Sequence, residues 1–187
     1  ETGVRGFTPT IEKLSQAIEQ EGAEHVILEK GDQIQIDEIL MDILSPDEER
    51  LDRSKRDRNN TSLVIELVFG KTNILFTGDV EAEVEEDILS DLRPIDVLKV
   101  GHHGSKTSSG YDVLQVLDPE FAIISTKENN RYGHPHEMVI DRIKNFGAKI
   151  LSTADSGTIT FYSNGKKLEV KSKLDKFRCM QYYIFLF

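Results

Sequence analysis

The chain has 187 residues, of which 38% are hydrophobic and 30% are charged, and its formal net charge at pH 7 is −10. This length suffices for one domain with its own hydrophobic core, so neither disulfides nor structural metals are needed for stability. The acidic charge excludes a protein that binds nucleic acid over its whole surface, because such binding neutralises many phosphates with Lys and Arg. A local nucleic-acid site stays open, and the single cysteine, Cys179, excludes an internal disulfide.

The first third of the chain predicts one surface helix, a few strands and a charged loop. Thr8 precedes a proline and an apolar stripe, which predicts a capped helix that ends at Gly22. Apolar runs at 25–28 and 33–44 predict two or three strands. Residues 45–60 are rich in charge and poor in apolar side chains, so we expect a solvated loop there.

From residue 62 onward, strands alternate with helices. Two apolar runs within 62–79 are joined at Gly70-Lys71, which predicts a β-hairpin. The elements predicted after it are a helix at 81–90, a strand at 95–100, a helix at 111–117, a strand at 121–125, a helix at 136–146, and strands at 149–152, 157–162 and 167–171. This alternation is typical of a layered α/β fold.

The two ends of the chain bear on the domain boundary. The chain begins Glu1-Thr2-Gly3, without an initiator methionine or a signal segment, so we expect a piece of a longer protein. The apolar stretch 177–187 has about half of the ~20 residues needed to cross a bilayer. An edge strand, a truncated approach to a membrane, and a cloning or reading-frame artefact are the three interpretations. We expect a partial domain over 1–171 and a tail of uncertain origin over 172–187.

Polar side chains suited to chemistry follow three successive predicted strands. Asp79 follows the first, His102 and His103 follow the second, and His134 and His136 follow the third. In layered α/β folds, functional sites form at the carboxyl ends of strands. A carboxylate and several imidazoles are suitable ligands for Zn²⁺, Mn²⁺ or Fe. The sequence therefore predicts a metal site at this edge.

Each of these residues also has a structural interpretation. Asp79 could only cap the helix that follows it. His102 and His103 would point to opposite sides of an extended chain, so we expect at most one of them to bind metal directly. The two histidines that flank Pro135 precede a helix and could cap it or pack against it, and we expect the isolated His25 to be structural.

A hydroxyl-rich loop follows the two adjacent histidines. It supplies hydroxyls, backbone N–H groups and one cation, which together suit phosphate oxygens. Next to a metal site, such a loop predicts contacts with a phosphoester substrate. Its residues are Ser105, Lys106, Thr107, Ser108 and Ser109.

Four motifs occur in order along the chain: NNTSLV at 59–64, TGD at 77–79, HHGS at 102–105 and YGHPH at 132–136. Over 8–161 the sequence resembles the metallo-β-lactamase-like domain at the carboxyl end of ComEC-type competence proteins, the DNA-uptake channel family, and of free-standing relatives. The resemblance implies an α/β fold, namely an αββα sandwich with a metal site at one edge of its paired sheets. It also implies metal-dependent hydrolysis, with phosphodiesters in DNA as the expected substrate.

The same resemblance implies roles for individual residues. Asp79 matches the carboxylate that bridges or completes the metal centre, and the HHGS motif matches a ligand or substrate contact. His134 matches a residue that supports the metal ligands or contacts the leaving group. The resulting expectations are catalytic roles for Asp79, His102, His103 and His134, metal ligation by Asp79 and His103, and substrate contact by Ser105, Lys106, Thr107 and Ser108.

The chain departs from the family pattern at its amino terminus. The superfamily takes its main metal ligands from a motif His-x-His-x-Asp-His, or His-x-Asp-x-Asp-His in the competence relatives, and neither precedes residue 8. The His-x-His at 134–136 comes after Asp79, which is the wrong order to replace that motif. We therefore expect an amino-terminally truncated sandwich. An intact parent would bind two divalent ions, Zn²⁺ or Mn²⁺, whereas this chain would bind metal weakly or not at all and would be inactive alone.

The expected partners follow from the resemblance and the truncation. They are DNA or another phosphodiester in the intact parent, membrane-channel segments of the same parent chain, and further copies of this chain through exposed sheet edges. The expected location is a soluble domain of a bacterial membrane-associated parent. Two alternatives stay open: a non-catalytic module that binds a nucleotide or a protein partner, and a soluble hydrolase of another phosphoester or ester.

Overall fold

The structure is a computed structural model that describes residues 2, 8–53, 58–172 and 183–186. Helices in these ranges are α1 Pro9–Glu21, α2 Glu48–Arg53, α3 Ala82–Asp87, α4 Tyr111–Leu117, α5 Glu137–Asn145 and α6 Thr153–Ser156. Strands are β1 Gln33–Ile36, β2 Ile39–Ser45, β3 Val64–Phe69, β4 Thr72–Phe76, β5 Val97–Lys99, β6 Phe121–Ile124, β7 Lys149–Ser152, β8 Ile159–Ser163, β9 Leu168–Ser172 and β10 Tyr183–Leu186. Short 3₁₀ turns lie at Asn59–Thr61, Leu89–Asp91 and Gly101–Gly104.

The strands form two sheets. The larger sheet has seven strands in the order β1-β2-β3-β4-β5-β6-β7, antiparallel from β1 to β4 and parallel from β4 to β7. The smaller sheet has the order β10-β8-β9 and is antiparallel. Because β4, β5 and β6 are adjacent and parallel, their carboxyl ends lie at one edge of the larger sheet. The turns that follow these strands are therefore neighbours.

Strand β4 shows how both faces of the larger sheet are buried. Successive strand side chains point to opposite faces, and Ile74 faces the smaller sheet while Leu75 faces the helices. The core between the sheets contains Leu67, Phe69, Ile74, Val97, Phe121, Ile123, Ile159 and Phe161. The core under the helices includes Leu75, Val84, Leu98, Leu114, Leu117, Ala122, Val139 and Ile143. Helices, large sheet and small sheet thus form successive layers, which confirms the predicted α/β class and the paired-sheet architecture.

Two predictions in the first third of the chain are wrong. Residues 25–28 form no strand, and Val26 and Ile27 are exposed. Residues 45–60 are not one solvated loop. Ser45 is buried at the end of β2, α2 begins at Glu48 with acidic residues in its first turn, which favour a helix amino terminus, and Asn60 is buried.

The later elements match the predicted ones within a few residues. The bounds of α4 and β7 agree with the prediction, whereas the predicted helix 81–90 is divided into α3 and the 3₁₀ turn Leu89–Asp91. In the tail, Tyr183–Leu186 pairs with β8, which matches the edge-strand interpretation for these four residues. Cys179 and the rest of the tail lie outside the described residues. None of the described helices has both the length and the apolar content to cross a membrane.

Candidate functional site

Three turns contact one another at the edge of the larger sheet where β4 and β5 end. The turn after β4 carries the TGD motif, the 3₁₀ turn after β5 carries the two adjacent histidines, and the loop before α5 carries the YGHPH motif. The N–H of His102 donates to the carbonyl of Gly78 at 3.1 Å, and the N–H of His136 donates to the carbonyl of Gly104 at 2.9 Å. Backbone hydrogen bonds therefore hold the three motifs in fixed relative positions.

Two glycines permit this close approach. Gly78 has φ +56°, and a Cβ on it would lie 2.6 Å from the Cβ of Ser62. Gly104 has φ +82°, and a Cβ on it would lie 2.6 Å from the Cβ of Pro135. Both positions combine a left-handed backbone with a lack of space, so any larger residue would push the motifs apart.

Asp79 and His103 meet at the centre of this arrangement. Their Oδ1 and Nε2 atoms are 3.5 Å apart, and both side chains are partly exposed. The Nδ1 atom of His103 lies 2.6 Å from the carbonyl oxygen of Ser125, so Nδ1 is the ring nitrogen that donates. Metal-binding histidines are commonly held by such a bond, which leaves the lone pair of the other nitrogen for the metal. Here that other nitrogen, Nε2, is the atom that lies 3.5 Å from Oδ1 of Asp79.

Asp79 does not cap the helix that follows it. The N-cap of α3 is Glu81, and no side chain supplies a cap bond at that position. Instead, the first N–H groups of the helix are bound from elsewhere: that of Glu81 by Oδ1 of Asn60 at 2.8 Å, and that of Ala82 by the carbonyl of Thr107 at 2.8 Å. The structural interpretation of Asp79 as a helix cap is therefore wrong.

His102 and His103 diverge for a reason that the sequence did not predict. They are not extended, because both have positive φ, +45° and +56°, within the 3₁₀ turn. His102 turns toward Glu81, whose Oε1 is 3.3 Å from its Nδ1, and toward the ring of His134 at 5.5 Å. This Nδ1 is buried and has no hydrogen-bond partner. Of the two histidines, only His103 touches Asp79.

His134 stands beside this pair in a cluster of imidazoles. Its ring lies 5.3 Å from that of His136 and is stacked on the ring of Tyr132 at 5.8 Å. Burial lowers the pKa of His134, and the nearby imidazoles of His102, His136 and His103 lower it further. The carboxylate of Asp79 acts in the opposite direction, and the lowered pKa favours the neutral imidazole, which can accept a hydrogen bond.

Only some of the residues predicted to contact substrate in the hydroxyl-rich loop are exposed to solvent. Lys106 and Thr107 are exposed, whereas Ser105 and Ser108 are buried. The hydroxyl of Ser108 lies within hydrogen-bond distance of the carbonyl of Gly101, 2.7 Å, and of Ser105, 3.0 Å. Ser108 thus fixes the shape of the loop, and the exposed Lys106 and Thr107 are the residues of this group that a substrate can reach.

Three charged residues near the site were missed by sequence reasoning. Glu85 and Arg142 bind backbone groups of the hydroxyl-rich loop, and nothing in the sequence distinguishes them from their charged neighbours. Lys99 ends β5 and donates from Nζ to the carbonyl of Val100 at 2.8 Å. Burial lowers the pKa of Lys99, and the carboxylate of Asp79 acts in the opposite direction. The sequence feature that could have identified Lys99 is its position as the one lysine in the largely apolar segment 95–100.

The residues present fit part of a metal site. Asp79 and the oriented His103 could supply two ligands, and the buried Nδ1 of His102, in the same turn as His103, makes no hydrogen bond and lies 3.3 Å from Oε1 of Glu81. Among the residues that the structure describes, no group of three or more His, Cys, Asp and Glu side chains could hold one ion. Stable protein sites for Zn²⁺ usually need three or four protein ligands.

Comparison with known proteins agrees with the fold class. The sequence model of the metallo-β-lactamase superfamily matches residues 30–126. The chain is 39% identical over 165 residues to ComE operon protein 3 of Bacillus subtilis (strain 168), which covers 86% of this chain. It is 35% identical over 144 residues to competence protein ComA of Neisseria gonorrhoeae, which covers 75% of this chain. The match spans 21% of the first relative and 20% of the second.

A solved structure with a similar arrangement is CmlA, a diiron β-hydroxylase from Streptomyces venezuelae. It has a TM-score of 0.49 and 10% sequence identity, over 73% of this chain and 35% of that one. The family match and the competence relatives define the class of this protein. The chain belongs to the metallo-β-lactamase superfamily, as a domain of the type found in competence proteins.

Proposed function

We propose that this domain contributes Asp79 and His103 to a divalent metal centre that hydrolyses phosphodiesters in DNA, within a longer, membrane-associated parent that takes up DNA. The observation that carries the proposal is the Asp79–His103 pair, with 3.5 Å between Oδ1 and Nε2 and with His103 oriented by the carbonyl of Ser125. The expected ions are Zn²⁺ or Mn²⁺, two per site in the complete centre. When bound, such ions supply a nucleophile at neutral pH and offset negative charge on the phosphoryl oxygens.

The side chains around the pair have complementary tasks in this proposal. Lys106, exposed on the neighbouring loop, binds a phosphate of the substrate, and Thr107 offers it a hydroxyl. The imidazole of His134 lies 5.5 Å from the ring of His102 in the same cluster, where its neutral form can accept a hydrogen bond from a group next to the leaving oxygen. In this proposal, the exposed lysine of the hydroxyl-rich loop lets a chain of net charge −10 bind a few phosphates of DNA.

A second candidate is a module that binds a nucleotide or a protein partner without hydrolysis. The observation that favours it is that the described residues offer no group of three ligands for one ion. The two candidates differ in turnover. A longer form of the chain that carries a His-x-Asp-x-Asp-His segment ahead of residue 1 should cleave DNA if the domain is a hydrolase, and should only bind it if the domain is a binding module.

The experiment compares this longer form with the 187-residue chain. Labelled single-stranded DNA, double-stranded DNA and a simple carboxylic ester are each incubated with Mn²⁺, with Zn²⁺ and with a chelator. The proposal predicts metal-dependent cleavage of DNA by the longer form, no cleavage in chelator, and little or none by the 187-residue chain. Hydrolysis of the ester alone would assign another substrate class, and binding without cleavage would favour the non-catalytic module.

A further inference from the structure

A cleft opens beside the Asp79–His103 pair, on the side of the YGHPH loop. Its volume is about 260 Å³. Because His103 lines the cleft and also contacts Asp79, a group in the cleft lies next to the candidate metal site. The lining residues are His103, Ser125, Thr126, Asn130, Tyr132 and His134.

One wall of the cleft is a pair of stacked aromatic rings. The rings of Tyr132 and His134 lie 5.8 Å apart with an interplanar angle of 27°. Tyr132 is 61% exposed, so part of its ring surface is open to solvent at the cleft. The guanidinium carbon of Arg131 lies 4.6 Å from the centre of the Tyr132 ring. A flat aromatic surface with an adjacent cation is what sequence-tolerant sites for unpaired nucleic acid use to stack bases.

The loop that carries these rings is held by one side chain, Asn130. Its Oδ1 accepts the N–H of Tyr132 at 3.2 Å and the N–H of His134 at 3.0 Å. Its Nδ2, which carries two N–H groups, lies within hydrogen-bond distance of three acceptors: the carbonyl of Lys127 at 3.2 Å, Oγ1 of Thr126 at 3.2 Å, and the carbonyl of His134. The backbone of the loop that carries the two rings is thus fixed before any ligand binds, which reduces the entropy lost on binding.

We propose that this cleft binds the nucleobase adjacent to the scissile phosphate, stacked on Tyr132, so that the substrate of the domain is an unpaired nucleic-acid strand. The inference rests on the proposed function and specifies its substrate. In a duplex the faces of each base are covered by neighbouring bases, whereas a single strand can turn one base into a cleft. Stacking tolerates any base, since every base has a π face, so no sequence preference is expected from Tyr132.

The test measures binding rather than hydrolysis, so it does not depend on the complete metal centre. Two end-labelled hexamers of equal charge are titrated by fluorescence anisotropy: hexathymidylate, and the same backbone with every base replaced by an abasic tetrahydrofuran unit. We expect the 187-residue chain to bind hexathymidylate about 10-fold more tightly than the abasic hexamer, as one stacked base contributes. Tyr132→Ala should remove this difference without changing the Kd of the abasic hexamer, and Tyr132→Phe should retain it.

A matched control is Tyr111→Ala. Tyr111 is 62% exposed but packs on Phe146, with ring centres 4.8 Å apart, and it does not line the cleft. This variant should bind both hexamers as the unchanged chain does. Equal Kd values for the two hexamers, no binding of either one, or a difference that survives Tyr132→Ala would each overturn the inference. If the stacking difference is found but the longer form cleaves no DNA, the base site stands and the hydrolase proposal fails.

Discussion

Glu85 and Arg142 hold the same short loop from two different helices. The buried carboxylate of Glu85 accepts the N–H groups of Ser109 and Gly110 at 2.6 and 2.8 Å. The guanidinium of Arg142 donates to the carbonyl of Ser109 at 2.6 Å and lies 3.3 Å from that of Ser108. The loop that carries Lys106 is therefore anchored on both α3 and α5, and its shape depends on two charges remote in sequence.

Removing Arg142 should loosen this loop and destabilise the domain. Arg142→Ala leaves two backbone carbonyls without their donor and Glu85 without a nearby cation, so we expect the free energy of unfolding to fall by about 1–3 kcal/mol. Denaturant titration measures this change, and amide hydrogen exchange should accelerate in residues 105–110. Lys144→Ala, an exposed change on the same helix, is the control and should alter neither quantity. Equal effects of the two substitutions would show that the guanidinium does not anchor the loop.

Glu85 should also make stability depend on pH. Burial raises the pKa of the Glu85 carboxyl above its ordinary value, while its two N–H donors and Arg142 lower it in part. A raised folded-state pKa means that the folded chain binds this proton more tightly than the unfolded chain does. The contribution of Glu85 to stability is therefore largest at acid pH, and it is lost as pH rises from the unfolded pKa through the folded one.

Glu85→Gln provides the measurement of this effect. Unfolding free energies are determined from about pH 4 to pH 8 for the unchanged chain and for Glu85→Gln. The difference between the unchanged chain and Glu85→Gln should shift in favour of Glu85→Gln as pH rises. A Glu85→Gln difference that is independent of pH would mean that the carboxyl titrates as it does in the unfolded chain.

The position of the candidate site at one edge of the larger sheet could be predicted, because it follows from the order and direction of the strands. Apolar runs identified β4, β5 and β6, and parallel neighbours place Asp79 and His103 at one edge. The alternation of buried and polar positions also predicted the bounds of α4 and β7. Such patterns report which face of an element is buried, which is a local property of the sequence.

The supporting residues could not be predicted, because their partners are backbone groups. Asn130 and Glu85 bind N–H and carbonyl groups whose positions depend on the folded loops. The positive φ of His102 and His103 was missed for a related reason, since residues other than glycine rarely adopt this conformation. The strand expected at 25–28 was wrong because a short apolar run does not by itself distinguish a strand from other structures.

The 187-residue chain should bind catalytic metal weakly. Its described residues offer Asp79 and His103 as neighbouring ligands, fewer than a stable site needs. Calorimetric titration with Zn²⁺ or Mn²⁺ should therefore show no stoichiometric binding at submicromolar affinity. Tight, stoichiometric binding that disappears in Asp79→Ala would contradict this and would show that the chain builds a complete site by itself.

The amino-terminal third should promote self-association. Four large apolar side chains there are 50–56% exposed, namely Leu14, Val26, Ile27 and Ile36. In addition, β1 leaves an unpaired sheet edge in the described part of the chain. Sedimentation velocity should show oligomers whose fraction rises with concentration and falls in Ile36→Lys. Met138→Lys, at a similarly exposed position on α5, is the control. A monomer at all concentrations would contradict the prediction.

The most direct test of the central claim, that Asp79 is a ligand of a hydrolytic metal centre, is kcat/KM for phosphodiester cleavage by the longer form of the chain. Asp79→Asn keeps the size of the side chain but removes its charge, and Asp112→Asn makes the same change at an exposed position on α4. We predict that Asp79→Asn lowers kcat/KM about 100-fold or more at saturating Mn²⁺, while Asp112→Asn leaves it unchanged. Full activity in Asp79→Asn would contradict the account.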